Sequence, residues 1–364
     1  MESANKQKVA FYTSLCLLLS YAELLIPRFV PFLRLGLSNS IILLALDFHI
    51  SDFLILLVFK SIASSFISGT LFSPFFLISF FQSVISGLLM YLMEKKLNKL
   101  FSVYGISIAG AGLSALVQVF CAGLYLGSQV YYVLWIMLLF SIPAGIITAF
   151  ISKAIRNQVN NYDALSNSLN FQTKNSNKTS FLSIFFIIFI IFISFIVKNI
   201  FVLLIMLAVA IFFQRLFKRK ISIISHLSLW IFILALSLFQ GEGEVIFKLG
   251  FITACKNSIV DGVIKALKLS IVMAVSQQAT CLKPASNSML SMIIAYFSAL
   301  CAGFNAQEGG ILKRINSTLS LKSLEIKDLD KAKNNNQPLF ITETLLFLIL
   351  FLFNIYFIHL SKIK

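Results

Sequence analysis

Two arginines interrupt an otherwise apolar chain in the stretch IPRFVPFLRLGLSN, which runs from Ile26 to Asn39. Arg28 and Arg34 could form the cationic mouth of a binding site, because a guanidinium group binds phosphate or carboxylate through paired hydrogen bonds. Asn39 and the free backbone amides at the start of the next helix would face the same mouth. Alternatively, both arginines reach lipid headgroups or cap a helix end. The functional interpretation is a site for a small anionic solute.

Three further polar side chains lie within apolar segments, namely Glu23, Lys60 and Gln118. An ionisable residue in a membrane span is a candidate functional residue, because a partner or water must offset its desolvation. We therefore assign all three to the same substrate site. The structural alternatives are that Glu23 pairs with Lys60 or Arg34, and that Gln118, like Gln82, hydrogen-bonds to a neighbouring helix.

Motifs of known catalytic sites are absent from the sequence. It has no phosphate-binding GxxxxGK[ST] loop, no aspartate-rich DDxxD, no HExxH and no GxSxG. His49, in DFHISD, lies at a predicted turn where helix capping accounts for the polar run, so we expect no metal site. The five cysteines have no CxxC or zinc-type spacing. We expect a chain that is not itself an enzyme and that requires no cofactor.

The composition is that of a membrane protein. The chain has 364 residues, of which 59% are hydrophobic and 12% charged, and its apolar runs reach the roughly 20 residues that a helix needs to cross a bilayer. The runs are continuous rather than alternating, which predicts an all-α polytopic protein and not a barrel. The net charge of +16 falls in connecting segments, so topology and contacts with anionic membrane lipid account for it, and we expect no nucleic-acid partner.

Two membrane domains are predicted, residues 1–152 and 181–364, joined by a polar cytosolic linker at 153–180. In the first, six spans are expected at about 8–26, 35–50, 52–68, 72–93, 104–126 and 130–151. The second begins with three apolar runs, at 181–197, 200–213 and 221–239, and ends with an apolar helix at about 339–360. Between them, we expect residues 284–337 to be largely cytosolic, as basic amphipathic helices. The linker suggests that the two halves fold separately and meet laterally.

The distribution of lysine and arginine predicts the orientation. With the N-terminus in the cytosol, the connection with Lys95, Lys96 and Lys99, the polar linker and the cluster around Arg219 all fall inside. This places Arg28 and Arg34 on the outer side, where lysine and arginine are disfavoured, so orientation does not explain the two arginines. The predicted location is the bacterial inner (cell) membrane.

Between about residues 8 and 152 the chain contains, in order, ELLIP from Glu23, RLGLSN from Arg34, Lys60, GTLFSPFFLIS from Gly69, GIS from Gly105, and Gln118. This combination resembles the Gx transporter family, whose members are often labelled heptaprenyl diphosphate synthase component I. This chain departs from the family in having Arg34 where a lysine is usual, and Ser114 and Ala115 where a His-Asn pair precedes the glutamine.

The family is similar to the S components of energy-coupling-factor importers, which are six-helix modules that bind a vitamin or other small molecule. An S component docks on a T component that is coupled to two ATPases. The resemblance thus implies a substrate site in the first half, with Gly36 and Gly69 allowing close helix packing. The second half is distantly similar to a T component, and its Lys313, Arg314 and Lys322 would couple to the partner.

Three functional hypotheses follow. The leading one is a membrane subunit of a small-molecule importer that relies on separate ATPase subunits. The alternative is a non-catalytic membrane subunit of a heptaprenyl or polyprenyl diphosphate synthase, which would work with a soluble partner that carries the aspartate-rich site. A membrane anchor for a redox or flavin-linked complex is the third.

Overall fold

The computed structural model describes residues 2–24, 36–166, 181–219, 223–239, 244–249, 252–278, 280, 288–319 and 337–363. The first-half helices are α1 Glu2–Leu24, α2 Asn39–Leu44, α3 Ile50–Ser68, α4 Pro74–Leu97, α5 Val103–Leu126 and α6 Leu134–Ser166. The second-half helices are α7 Phe181–Ile196, α8 Ile200–Leu216, α9 Ile223–Ser237, α10 Lys256–Gln278, α11 Met289–Ala306, α12 Ile311–Leu319 and α13 Gln337–Ile363. Short 3₁₀ turns lie at Ala45–Asp47 and Ser128–Val133, and β1 Val245–Leu249 pairs antiparallel with β2 Ile252–Cys255.

Six segments of the described residues are long and apolar enough to cross a membrane. They are Ile50–Ser68, Pro74–Leu97, Val103–Leu126, Ser128–Arg156, Met289–Ala306 and Pro338–Tyr356. Three further apolar helices are shorter: Ser183–Ile196, Ile200–Leu216 and His226–Ser237. The prediction of an all-α polytopic membrane protein is therefore confirmed, with the β1–β2 hairpin as a small addition.

The second predicted span, at 35–50, is not a continuous helix. Gly36 has a left-handed φ of +69°, and its carbonyl accepts a hydrogen bond from Asn39 N at 2.8 Å, which closes a turn ahead of α2. After Leu44 the chain tightens into a 3₁₀ turn, and Phe48 is extended with ψ of 158°. Only the six residues of α2 are α-helical. This apolar run therefore packs inside the bundle and does not form a membrane-spanning helix.

A tight turn joins α3 to α4. Gly69 ends α3 in the left-handed conformation (φ +70°), where glycine carries no steric penalty. Pro74 occupies the first turn of α4, where the missing N–H costs no helical hydrogen bond. The C-terminal turn of α10 packs on this connection, because Phe72 N donates to Ser276 Oγ at 3.0 Å. Gly69 thus allows a close approach between the two halves of the chain.

Substitution of Gly69 by alanine is expected to lower the free energy of unfolding by about 2 kcal/mol, since the left-handed conformation alone costs about 1–2 kcal/mol in a non-glycine residue. The added Cβ would also lie 2.7 Å from Gln277 Cγ and 2.9 Å from Gln277 Cα. Gly36→Ala is the matched control, because Gly36 has nearly the same φ but its Cβ would contact only the Asn39 side chain, at 3.2 Å. Thermal unfolding in detergent should show a larger loss for Gly69→Ala; equal losses would contradict the close packing against α10.

The core of the first half is built around α1, with α2, α3 and α11 packed on it. Phe11 on α1 meets Tyr296 on α11 edge to face, with ring centroids 6.0 Å apart, and both side chains are fully buried. Ile293, Leu300 and Phe304 of α11 belong to the same core. Contrary to the prediction of largely cytosolic amphipathic helices at 284–337, α11 is long and apolar enough to cross a membrane, and it packs on α1.

A second core lies among α7, α8, α10 and α13. Helix α10 carries four charged residues, but most of its C-terminal half is buried, from Ala266 to Gln278. Its apolar residues, such as Leu267 and Ile271, pack with Leu203 and Met206 of α8. Trp230 of α9 donates to Ser270 Oγ at 2.9 Å on another side of α10. Helix α10 is thus the central helix of the second half.

Candidate binding cavity

A cavity of about 250 Å³ lies inside the first-half bundle, among α1, α3, α4, α5, α6 and the residues that begin α2. Its wall also includes Phe297 of α11. Most of the polar lining is hydroxyl: Thr70 and ten serines, at positions 20, 38, 64, 65, 68, 79, 83, 86, 114 and 141. The apolar lining includes Leu17, Tyr21, Ile67, Phe75, Met137 and Phe140. The cavity can therefore take a small molecule that has both polar and apolar parts.

Glu23 holds the entry to α2. Its Oε1 accepts from Gly36 N at 3.3 Å and its Oε2 from Leu37 N at 3.2 Å. These amides precede the helix and have no helical carbonyl to bind, so the carboxylate takes the place of a helix cap. The Glu23 side chain is 7% exposed. Its negative charge is thus directed at backbone N–H groups, and its main contribution is to position Gly36 and Asn39.

Lys60 is the cationic side chain among the described residues that line the cavity. It projects from the middle of α3, is 6% exposed, and its Nζ donates to Asn39 Oδ1 at 2.9 Å. The Lys60–Asn39 pair therefore presents a positive charge and an amide to the cavity, an arrangement that suits an anionic group on a ligand.

The face of α4 towards the cavity is polar. Ser79, Gln82, Ser83 and Ser86 follow the i, i+3, i+4, i+7 spacing of one helix face. Gln82 Nε2 donates to Ser114 Oγ of α5 at 2.5 Å, which confirms the interhelical contact considered for Gln82. These serines were not among the site residues predicted from the sequence, although their spacing on an otherwise apolar helix was a usable signal.

Four of the six residues assigned to the substrate site line this one cavity: Glu23, Asn39, Lys60 and Gln118. Gly36 lines it as well. Arg28, Arg34 and Lys322 lie outside the described residues, so the predicted arginine mouth and one coupling lysine stay predictions. On α12, Lys313 is exposed, whereas Arg314 donates to Phe304 O at 3.0 Å and lies over the Phe304 ring. Arg314 is thus partly engaged with the end of α11.

His49 serves as a helix cap. Its Nδ1 accepts from Ser51 N at 3.5 Å, and it precedes the first turn of α3. In the parts of the chain that the structure describes, no group of three or more His, Cys, Asp or Glu side chains could hold a metal ion.

The fold and the cavity define a class: a polytopic all-α membrane protein with a cavity of partly polar lining inside its first-half bundle. Residues 12–155, which contribute most of that bundle, match the family model described as heptaprenyl diphosphate synthase component I. This family label is the one that the sequence resemblance predicted, so the match confirms that prediction. The matched segment covers less than half of the chain. No curated protein and no solved structure matches the chain, and none of these searches shows similarity to an importer S component.

Proposed function

We propose that this chain is the non-catalytic membrane component of a heptaprenyl diphosphate synthase system, and that its cavity binds a short prenyl diphosphate. The name of the family that matches residues 12–155 supports the first part. The observation that supports the second is the cavity itself, where Lys60, Asn39 and many hydroxyls meet Phe75, Met137 and Phe140. The polar groups suit a diphosphate, and the apolar side chains suit a short apolar tail.

The size of the cavity limits the ligand. Pockets for drug-sized molecules span roughly 300–1,000 Å³, and this cavity has about 250 Å³. It suits a substrate or early intermediate better than a finished long-chain product. A lengthening tail would have to leave the cavity and lie in lipid, where burying each CH₂ contributes about 0.8 kcal/mol. The bond-forming chemistry would belong to a soluble partner subunit with an aspartate-rich site.

An importer subunit is the second candidate. The observation that favours it is the predominance of hydroxyl groups in an interior cavity of small-solute size. In that case the solute is anionic, the protein lies in the cell membrane with its N-terminus in the cytosol, and separate ATPases dock on exposed basic residues such as Lys313.

Affinity purification of the tagged full-length protein from its own membranes, in mild detergent, tests both candidates. We expect a soluble subunit with a DDxxD motif to co-purify, identified by mass spectrometry. Walker-A ATPases in its place would contradict the synthase proposal and support the importer, provided that they are lost on Lys313→Glu. Lys153→Glu is the matched control, because Lys153 is also exposed and lies on a different helix, α6.

A further inference from the structure

A buried carboxyl and amide meet in the second core, away from the cavity. Gln278, the last residue of α10, donates from Nε2 to Glu343 Oε1 on α13 at 2.9 Å. Both side chains are 0% exposed. Neither residue matches a motif that the sequence analysis considered, and 65 residues separate them along the chain.

The pair has unused hydrogen-bonding capacity. Glu343 Oε2 and Gln278 Oε1 are buried and have no hydrogen-bond partner among the described residues. An amide N–H is a neutral donor, so the one contact that the carboxyl makes here supplies no positive charge. A buried ionised carboxylate that lacks a cation or several donors is strongly destabilising. Ionised Glu343 would therefore be poorly accommodated in this environment.

No charged side chain that the structure describes on the neighbouring helices forms an ion pair with Glu343. Helix α7 carries none, and on α8 Arg215 is exposed. Lys268 of α10 lies ten residues before Gln278, about 15 Å along the helix, and its ammonium donates to Phe195 O at 2.6 Å. Beyond α8, the exposed Arg219 donates to Thr280 O at 2.7 Å. The remaining charged or titratable groups on these helices and just after α8 are Lys218, Lys256, Asp261, Lys265, Tyr356, His359 and Lys362.

We propose that Glu343 is a proton-binding residue, held as a neutral carboxylic acid at neutral pH. One proton on Glu343 completes the hydrogen bonding between the two side chains. The resulting hydroxyl is a donor, and Gln278 Oε1 is an acceptor that lacks a donor. A metal cation fits less well, since replacing its hydration shell takes several oxygens and this pair offers two unpartnered ones. An ionisable group at membrane depth is a functional-site candidate, and proton binding is a common role for such carboxyls.

The site lies close to the cavity. Gln277, the residue before Gln278, packs against Gly69, and Ser276 accepts from Phe72 N. Ser68 and Thr70, on either side of Gly69, line the cavity. Loss of the Glu343 proton would thus act on a helical turn that contacts the cavity wall. This assignment is independent of which molecule the cavity binds.

Infrared difference spectroscopy tests the proposal without chemical access to the buried site. The spectrum of the full-length protein minus that of Glu343→Gln, both in detergent at neutral pH, should contain the carbonyl stretch of a protonated carboxylic acid. Glu343→Asp should shift that band rather than remove it. Glu23→Gln is the matched control: Glu23 is also buried but accepts two backbone N–H groups, so its difference spectrum should contain carboxylate bands.

Carboxylate bands in the Glu343→Gln difference spectrum would overturn the proposal. If those bands shift when sodium is replaced by a bulky organic cation, the site binds an alkali ion instead. Glu343→Gln should also melt at the wild-type temperature, because a neutral amide replaces a neutral acid of the same shape. A variant that fails to fold, or that melts well below wild type, would therefore argue against a neutral Glu343.

Discussion

Substitution of Lys60 by methionine is expected to weaken the binding of a short prenyl diphosphate by about 10- to 100-fold. A hydrogen bond to a charged group contributes about 1.5–3 kcal/mol, and each 1.4 kcal/mol is a factor of ten in affinity. Methionine keeps much of the length and the apolar stem of the side chain, so the α3 packing around Lys60 is largely preserved. Titration calorimetry of the purified protein with a short prenyl diphosphate, and with inorganic diphosphate, measures the effect.

Lys153→Met is the control for general loss of positive charge. Lys153 is exposed, lies over the Tyr104 ring at 4.3 Å and does not line the cavity. Its loss should leave the affinity unchanged. Equal affinities for wild type and Lys60→Met, with binding otherwise intact, would mean that the ligand does not contact this ammonium. Loss of affinity in both variants would indicate a site on the basic surface.

Substitution of Gly145 by alanine is expected to lower the free energy of unfolding by about 3 kcal/mol, the upper part of the range for overpacked sites. The new Cβ would lie 2.7 Å from Ile108 Cα and 2.9 Å from Ile108 N, so α5 and α6 would have to move apart. Both contacts are with helix backbone, so no side-chain rotation relieves them. Separation would also break the bond from Ser107 Oγ to Gly145 O, which is 2.7 Å long.

Gly112→Ala is the matched control on the same pair of helices. Its Cβ would meet only Ser141 Oγ, at 3.8 Å, which is an ordinary contact. Alanine is also the better helix former, so this variant should be neutral or slightly stabilised. The two variants are compared by their melting temperatures in detergent and by their expression yields. Similar melting temperatures for Gly145→Ala and Gly112→Ala would show that α5 and α6 can separate at Gly145 at little cost, which would contradict the prediction.

The sequence was sufficient for α3 to α6 and for the apolar helices α7 to α9, and insufficient for α2 and α11. Helices α3 to α6 follow from run length and hydropathy, because a membrane helix must satisfy its backbone internally over about 20 residues. The break before α2 depends on the conformation of Gly36 and on its bond to Glu23, a residue thirteen positions away. The placement of α11 depends on α1, a partner that local pattern does not identify.

Of the residues that line the cavity, only the charged and amide side chains were predicted from the sequence. Glu23, Asn39, Lys60 and Gln118 attract attention because charge and amide groups are costly in an apolar run. A single serine in a membrane helix gives no such signal, since it can bond the carbonyl four residues earlier, as Ser61 does with Leu57 O. Only the regular spacing of polar residues on α4 could have pointed to the cavity. Which serines face the cavity is decided by helix packing. The Gln278–Glu343 contact is equally a product of tertiary structure.

The packing of α11 on α1 has a consequence for the stoichiometry of the protein. Tyr21 of α1 meets Phe297 and Phe304 of α11, and Phe297 reaches the cavity wall. Because α11 belongs to the same polypeptide, its contact with α1 is intramolecular and does not depend on protein concentration. Each protein molecule therefore has its own α11 beside the cavity and does not need to associate with a second molecule for it. A chain limited to the matched segment would have to recruit that surface from a second molecule or leave Tyr21 facing lipid.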